Sequence, residues 1–504
     1  MITRQLVRCL LVEYARNPVN LLMLVLVPAV FVVAAAGSLG DAAEVLGGSG
    51  APAVATATAG WAAAFLTGLA MYFQMSSARN TDKRLVLAGL APSRLVGARL
   101  LTGLTLALVT TAVSLLALAA RTGVDAPLRV LAGTTMFALI YLALGTIVGS
   151  YVRDPVNGTV LILLVWIIDV FFGPAMGSVD RLATRWLPTH FATLWMVDLP
   201  SRHGGRPGDL GWALIWTVGA LLLCWLIVVR NSRTARRPSA NRPASAMARL
   251  AGGVKMGLHD YSRNPALWTL LIIVPIVFIV LATVITPDEP TTLPLVESGR
   301  TVLMTFPLPD IHPSTMTPIA VGSLATLAGL FIGLDAREGD QRLTLAGFPA
   351  SLVLAARLTV MGAAVLLVTV VSLAVTATVF EPRQWGVYAG ANLLLALTYG
   401  MIGVIIGPVF GRVAGVFVAF LLPFLDLGIG QSPMLRAEPP QWAQFLPGYG
   451  ASRVMMDGGL TDTFDRAGAV ALSVAWLAGV SLLAALLWRG SLVEDNPSRQ
   501  LVRL

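Results

Sequence analysis

The sequence is poor in charged side chains. Charged residues make up 12% of its 504 residues, about half the share in a soluble globular chain. Hydrophobic residues make up 56%, and the mean hydropathy is +0.78. This composition excludes a soluble enzyme and a disordered chain, and two cysteines exclude a disulfide scaffold. Apolar stretches of about 20 residues recur along the chain, and each can span a bilayer. The sequence therefore predicts a polytopic membrane protein.

The scarce residues also limit the chemistry. The chain has two lysines, Lys83 and Lys255, and neither follows a glycine-rich turn as the lysine of a P-loop must. Cys9 and Cys224 have no metal-ligand spacing. The net charge of +9 comes without a nucleic-acid-binding motif. We therefore predict no catalytic role, no metal, no nucleic acid and no cofactor bound by this chain.

The chain contains an internal repeat. Residues 7–33 and 254–280 are identical at 12 of 27 positions, and residues 79–100 and 337–358 at 11 of 22. Asp169 aligns with Asp426 in the same register. Because chance similarity of apolar segments would not align Arg, Asp, Pro and Gly in one order, we predict two homologous halves.

Hydropathy and charge predict the topology. Each half contains six apolar spans, and an Arg- and Pro-rich linker separates them. Placing the N-terminus inside assigns 24 of the 35 basic residues to the cytoplasmic side and 11 to the outside. We predict an all-α fold of twelve transmembrane helices in two parallel six-helix repeats, with both termini cytoplasmic. The predicted domains are a first half at 1–230, a linker at 231–249 and a second half at 250–504. The predicted spans are 19–39, 59–77, 96–120, 130–151, 156–175, 210–229, 266–286, 316–334, 354–379, 386–408, 412–430 and 467–488.

An amphipathic segment precedes each half. Apolar and charged side chains fall on opposite faces of a helix over residues 2–17, and a second copy covers about 250–264. This pattern predicts an interfacial helix on the inner leaflet of the bilayer. Its repeated residues are Tyr14, Arg16, Tyr261 and Arg263.

The loop after the second span of each half carries the most specific pattern. It reads RNTDKRLVLAGL at 79–90 and REGDQRLTLAGF at 337–348. This loop resembles the cytoplasmic loop of ABC-2 type transporter permeases, in which an Arg-Glu-x-Gly stretch precedes a short helix. The first copy keeps only the Arg of that stretch. The candidate docking residues are Arg79, Asp82, Arg84, Leu85, Arg337, Glu338, Asp340, Arg342 and Leu343.

The resemblance extends to the interfacial helix and the six-span half, and includes the duplicated permeases of actinobacterial drug and antibiotic exporters. It implies a multi-pass protein of the plasma membrane that exports hydrophobic or amphipathic compounds. It also implies that the loop seats on a separate ATPase subunit, which binds ATP and Mg. Since the loop occurs twice, we expect two ATPase copies per chain.

Two acidic residues lie deep in the predicted spans, Asp169 and Asp426. An ionisable group at that depth is costly and suggests a function. Each aspartate caps a short re-entrant helix or bonds to a neighbouring arginine. Alternatively, the pair lines a translocation cavity and attracts cationic substrates. Neighbouring aromatic residues are candidates for the same cavity, namely Trp166, Phe172, Phe420 and Phe424.

A second interpretation is a proton-coupled secondary transporter of the major facilitator type, which also has twelve spans. The stretch GLDAREG at 333–339 is partly similar to the loop typical of that class. The first half lacks this spacing, and the class does not explain the repeated interfacial helix.

Overall fold

The computed structural model describes most of the chain. Its described residues are 2–15, 18–45, 51–87, 90–152, 154–176, 182–199, 202–231, 272–280, 286, 288–335 and 350–494. The chain divides into two compact units, residues 1–240 and 241–504. Their boundary falls in the predicted linker, nearly all of which lies outside the described residues. The assignment of two homologous halves stays a prediction.

The first unit is helical. Its helices are α1 (Ile2–Ala15), α2 (Pro18–Val45), α3 (Ala51–Leu87), α4 (Pro92–Arg121), α5 (Pro127–Tyr151), α6 (Pro155–Phe172), the short α7 (His190–Met196) and α8 (Pro207–Asn231), with a 3₁₀ turn at Leu182–Trp186. Five of these helices begin at proline, whose missing N–H costs nothing in the first turn. The Asp154 carboxylate caps α6 by accepting the N–H groups of Val156 and Asn157 at 2.9 and 3.1 Å.

The second unit has helices and one hairpin. Its elements are β1 (Pro290–Glu297), β2 (Arg300–Pro307), α9 (Leu308–Asp335), α10 (Ala350–Thr376), α11 (Trp385–Pro423), a π-helical segment (Phe424–Gly430), a 3₁₀ turn (Gln441–Phe445), α12 (Tyr449–Leu460) and α13 (Ala467–Glu494). Residues 272–280 are also helical. Gly411 interrupts α11 with a φ of 70°, a value that glycine adopts without steric cost. The kink divides α11 where the sequence predicts separate spans at 386–408 and 412–430.

The antiparallel hairpin β1–β2 is an element that the hydropathy analysis did not predict. Its strands pair from Pro290 with Pro307 to Glu297 with Arg300. The hairpin turn is held by the loop after α12, since Thr463 Oγ1 accepts the Ser298 N–H at 3.0 Å. The short strands carry little hydropathy signal, which explains why they were missed.

Ten helices in the described residues are long and apolar enough to span a membrane. A shorter apolar helix covers residues 414–430, and about half of the predicted span at 266–286 lies outside the described residues. The helical polytopic fold is confirmed. The number twelve stays a prediction.

One helix occupies the centre of each unit. The spanning parts of α3 and α9 are 94% and 89% buried, whereas those of α8 and α13 are 22% and 17% buried. Glycine allows α5 to approach α3 closely, because a Cβ on Gly145 would overlap the Gly68 carbonyl oxygen. In the second unit a Cβ on Gly403 would overlap the Thr326 carbonyl oxygen. Such backbone-to-backbone contact at small residues is typical of helix packing in membranes.

Candidate functional site

Asp169 lies in the last turn of α6 and is 1% exposed. Its Oδ2 accepts hydrogen bonds from the Tyr141 hydroxyl at 3.0 Å and the Thr189 hydroxyl at 2.7 Å. Its Oδ1 accepts the Thr189 backbone N–H at 3.3 Å. Thr189 immediately precedes α7. The carboxylate therefore joins α5, α6 and the start of α7.

Asp426 lies in the π-helical segment and is also 1% exposed. Its Oδ2 accepts the Tyr399 hydroxyl at 2.5 Å and the Gly448 backbone N–H at 2.6 Å. Its Oδ1 accepts an amide N–H from Gln431 at 3.1 Å. Gly448 immediately precedes α12, and a Cβ there would lie 2.8 Å from Asp426 Oδ2. The close approach of the carboxylate therefore requires glycine at this position.

The two aspartates have the same kind of environment, with one difference. Each accepts a tyrosine hydroxyl from the long helix before it and a backbone N–H at the start of a later short helix. The third donor differs, because Gly448 has no side chain and the Gln431 amide takes the place of the Thr189 hydroxyl. This geometry matches the capping interpretation. The cavity interpretation stays a prediction for both aspartates.

Two of the candidate aromatic residues, Trp166 and Phe172, belong to the first unit, and the other two, Phe420 and Phe424, belong to the second unit. Trp166 is 4% exposed, packs on Phe65 at 5.0 Å between ring centroids and donates its indole N–H to the Trp61 carbonyl at 2.9 Å. Phe420 stacks on Phe424 at 6.1 Å, while Phe172 is half-buried at the end of α6. Trp166 therefore contributes to the packing of the first unit.

The first copy of the candidate docking loop is the end of α3 rather than a separate short helix. The helix runs without interruption from Ala51 to Leu87. Arg79 donates to the carbonyl oxygens of Gly149 and Val152 at 2.5 and 3.2 Å. These two bonds attach α3 to the end of α5.

The Asp82 carboxylate pairs with Arg99 of α4 through two bonds of 2.7 and 3.2 Å. Both side chains are at least 85% buried. Arg84 is exposed and Leu85 is half-buried. Arg79 and Asp82 thus hold the end of α3 in place, and Arg84 is the residue of this set that faces outward.

Other candidates lie outside the described residues, namely Arg16, Tyr261, Arg263, Arg337, Glu338, Asp340, Arg342 and Leu343. Tyr14 is part of α1, the predicted interfacial helix, which ends at Ala15. In α1 Gln5 and Arg8 are exposed while Leu6 and Leu10 are half-buried, as expected for an amphipathic helix.

Sequence reasoning did not identify Thr189, Gln431 or Gly448 as partners of the aspartates. Tyr141 and Tyr399 could have been found, since they are repeated 28 and 27 residues before the two aspartates. The partner Arg99 of Asp82 could also have been found, because its sequence Ala-Arg-Leu is repeated at 356–358.

The long apolar helices define a polytopic membrane protein. The sequence model of the family described as "ABC-2 family transporter protein" matches residues 49–230, so this part of the chain is similar to ABC-2 transporters. The matched region runs from before α3 to the end of α8, so it includes Asp169 and the end of α3. A comparison with curated proteins found no match. The family match does not favour the major facilitator interpretation.

Proposed function

We propose that this chain is the permease subunit of an ATP-binding cassette exporter that moves hydrophobic or amphipathic compounds out of the cell. The observation that carries the proposal is the ABC-2 family match over residues 49–230. ATP hydrolysis takes place on a separate ATPase subunit, which binds the nucleotide and Mg. The chain lies in the plasma membrane with both termini in the cytoplasm, as the distribution of basic residues favours.

The ATPase docks at the end of α3 and at the second copy of the same sequence at 337–348. Three features support this assignment. The segment extends beyond the predicted span at 59–77, it exposes Arg84, and Arg79 and Asp82 fix it to α5 and α4. A rigid, protruding helix end with an exposed cation can bind in a groove of a partner and pass on its motion.

One chain provides both docking segments, so we propose one permease chain with two ATPase subunits. The proposal rests on the sequence repeat and is supported by the matching environments of Asp169 and Asp426. Purification of the intact complex in a mild detergent, followed by native mass spectrometry, tests this composition. A complex that contains two permease chains would contradict it.

Charge reversal at the docking segment tests the assignment of the partner site. We expect Arg84→Glu combined with Arg342→Glu to reduce ATPase co-purification at least tenfold, since each removes a cation from a docking copy. The matched control is Arg121→Glu, at an exposed arginine at the other end of α4. The same amount of bound ATPase in the double variant and the control would rule out docking at these segments. Drug-stimulated ATP hydrolysis by the purified complex then identifies exported compounds.

A further inference from the structure

A pocket in the second unit lies beside the Asp426 network. It is lined by α9, α11, α12 and the segment from Leu427 to Pro433, its cavity volume is about 20 Å³, and one side of it is open. Its apolar wall includes Leu427, Met455, Met456 and Leu460, and Gln431 is one of its polar residues. Among the described residues, none of those lining the pocket carries a formal charge. Methionine, leucine and proline form much of its wall, which favours an apolar ligand.

Gln431 supplies a polar group to this wall with one atom unused. Its side-chain nitrogen donates to Asp426 Oδ1 at 3.1 Å and to the Ala443 carbonyl at 2.8 Å. Because both partners are acceptors, the orientation of the amide is fixed and the oxygen is the atom left over. Gln431 is 3% exposed, and among the described residues its Oε1 has no hydrogen-bond partner.

A buried acceptor without a hydrogen bond is energetically unfavourable, so a donor that reaches it is bound favourably. The bond to the Asp426 carboxylate also polarises the amide, which makes its oxygen a stronger acceptor. The other polar side chains of the wall are already engaged in part. The Ser314 hydroxyl donates to Ile311 O at 2.6 Å, and the Tyr388 hydroxyl donates to Ser314 O at 3.1 Å.

We propose that this pocket binds the polar end of a neutral amphipathic molecule, whose O–H or N–H donates to Gln431 Oε1 while its apolar chain packs against Met455 and Met456. The space holds one end of a ligand rather than a whole large drug. The inference deepens the proposed exporter function, because it gives the substrate class of one site. Since Gln431 aligns with Pro174 at the same distance after the repeated aspartate, the first half offers no such acceptor at that position.

The test uses photolabelling of the full-length purified protein. The reagents are an eight-carbon alkanol that carries a diazirine, and its methyl ether, which has the same chain without a donor. Peptide mapping by mass spectrometry locates the label. We expect the alcohol to label the α12 segment around Met455 at least fivefold more than the ether. Met456→Trp fills the pocket, and we expect it to abolish this difference. The matched control is Val218→Trp, at an exposed position in α8, and we expect it to keep the difference.

Equal labelling of α12 by alcohol and ether overturns the role of Gln431, and no label in the pocket overturns the site itself. Because the comparison of the two reagents uses the wild-type protein, it does not depend on a variant that folds. ATP-dependent export without a pocket label overturns this inference alone. A pocket label in a chain that never binds an ATPase supports the site and overturns the proposed function alone.

Discussion

The close contact between α3 and α5 gives the sharpest prediction about stability. A Cβ on Gly145 would overlap the Gly68 carbonyl oxygen and would lie 2.7 Å from the Gly68 carbonyl carbon. Ordinary contact begins at 3.4 Å, so the two backbones must separate by about 0.7 Å to relieve the contact with the carbon, and by more to relieve the contact with the oxygen. Both partners are main-chain atoms of buried helices, so no side chain can rotate to make room.

We therefore expect Gly145→Ala to destabilise the first unit by about 3 kcal/mol, the upper range for overpacking. Alanine favours helix over glycine by about 1 kcal/mol, and this gain is too small to offset the clash. In a unit of 240 residues, a loss of 3 kcal/mol lowers the melting temperature by about 6–12 °C. The equivalent change in the second unit is Gly403→Ala, where the Thr326 carbonyl stands in the way.

Thermal unfolding of the purified protein in detergent, followed by tryptophan fluorescence and by gel filtration after heating, measures the effect. The matched control is Gly219→Ala in α8, where a Cβ meets nothing within 4 Å and the residue is exposed. The control gains helix propensity and should melt at the same temperature or higher. A melting temperature of Gly145→Ala within 2 °C of the control would refute the close helix packing.

The remaining predictions concern the buried polar groups, and each is read as a change in melting temperature unless stated. Asp169→Asn should lower the free energy of unfolding by less than about 1 kcal/mol, because the two groups that donate to Oδ2 are hydroxyls that can accept from the new NH₂ instead. Asp426→Asn should lower it by about 2 kcal/mol, because the new NH₂ must face either the Gln431 amide N–H or the Gly448 N–H. The reverse ranking would contradict these two hydrogen-bond networks. The double Asn variant should reduce export of cationic and neutral compounds alike, since both carboxylates are 1% exposed; a selective loss of cation export in a vesicle assay would instead favour the cavity interpretation. Asp82→Ala should lower the free energy of unfolding by about 3 kcal/mol, because it leaves Arg99 buried without its partner. Adding Arg99→Met should recover part of that loss. Losses that simply add in the double variant would argue against the ion pair.

The sequence was sufficient for the helical architecture, because the lipid bilayer imposes length and apolarity on each span. Hydropathy located most helix starts to within a few residues, whereas α3 begins at Ala51 and α9 at Leu308, each before its predicted span. The hairpin β1–β2 could not be predicted in this way, because its strands are too short and not apolar enough to stand out in a hydropathy analysis. The single helix α3 was predicted as a span and a separate loop helix, because the polar residues after Gln74 mark where the apolar stretch ends but not where the helix ends.

The candidate site was predictable only in part for a related reason. An acidic residue inside an apolar span stands out in the sequence, so Asp169 and Asp426 were recognised. Their partners Thr189 and Gly448 lie 20 and 22 residues further along the chain, in segments without helical periodicity. Contacts at such separations depend on how the short helices fold back, and that depends on tertiary packing. The ion pair of Asp82 could not be predicted for the same reason, because the sequence does not distinguish a carboxylate in an ion pair from one exposed on a helix surface.

The uninterrupted course of α3 has a mechanical consequence. Its 37 residues form a rod about 55 Å long, nearly twice the thickness of the apolar core of a bilayer. Between Gly68 and Leu87 the helix has no glycine or proline, so this part of it lacks the residues at which helices most often kink. Near its end it is clamped to α5 by Arg79 and to α4 by Asp82. A displacement of the α3 end would therefore involve the adjoining ends of α4 and α5 as well, because all three are joined at this point.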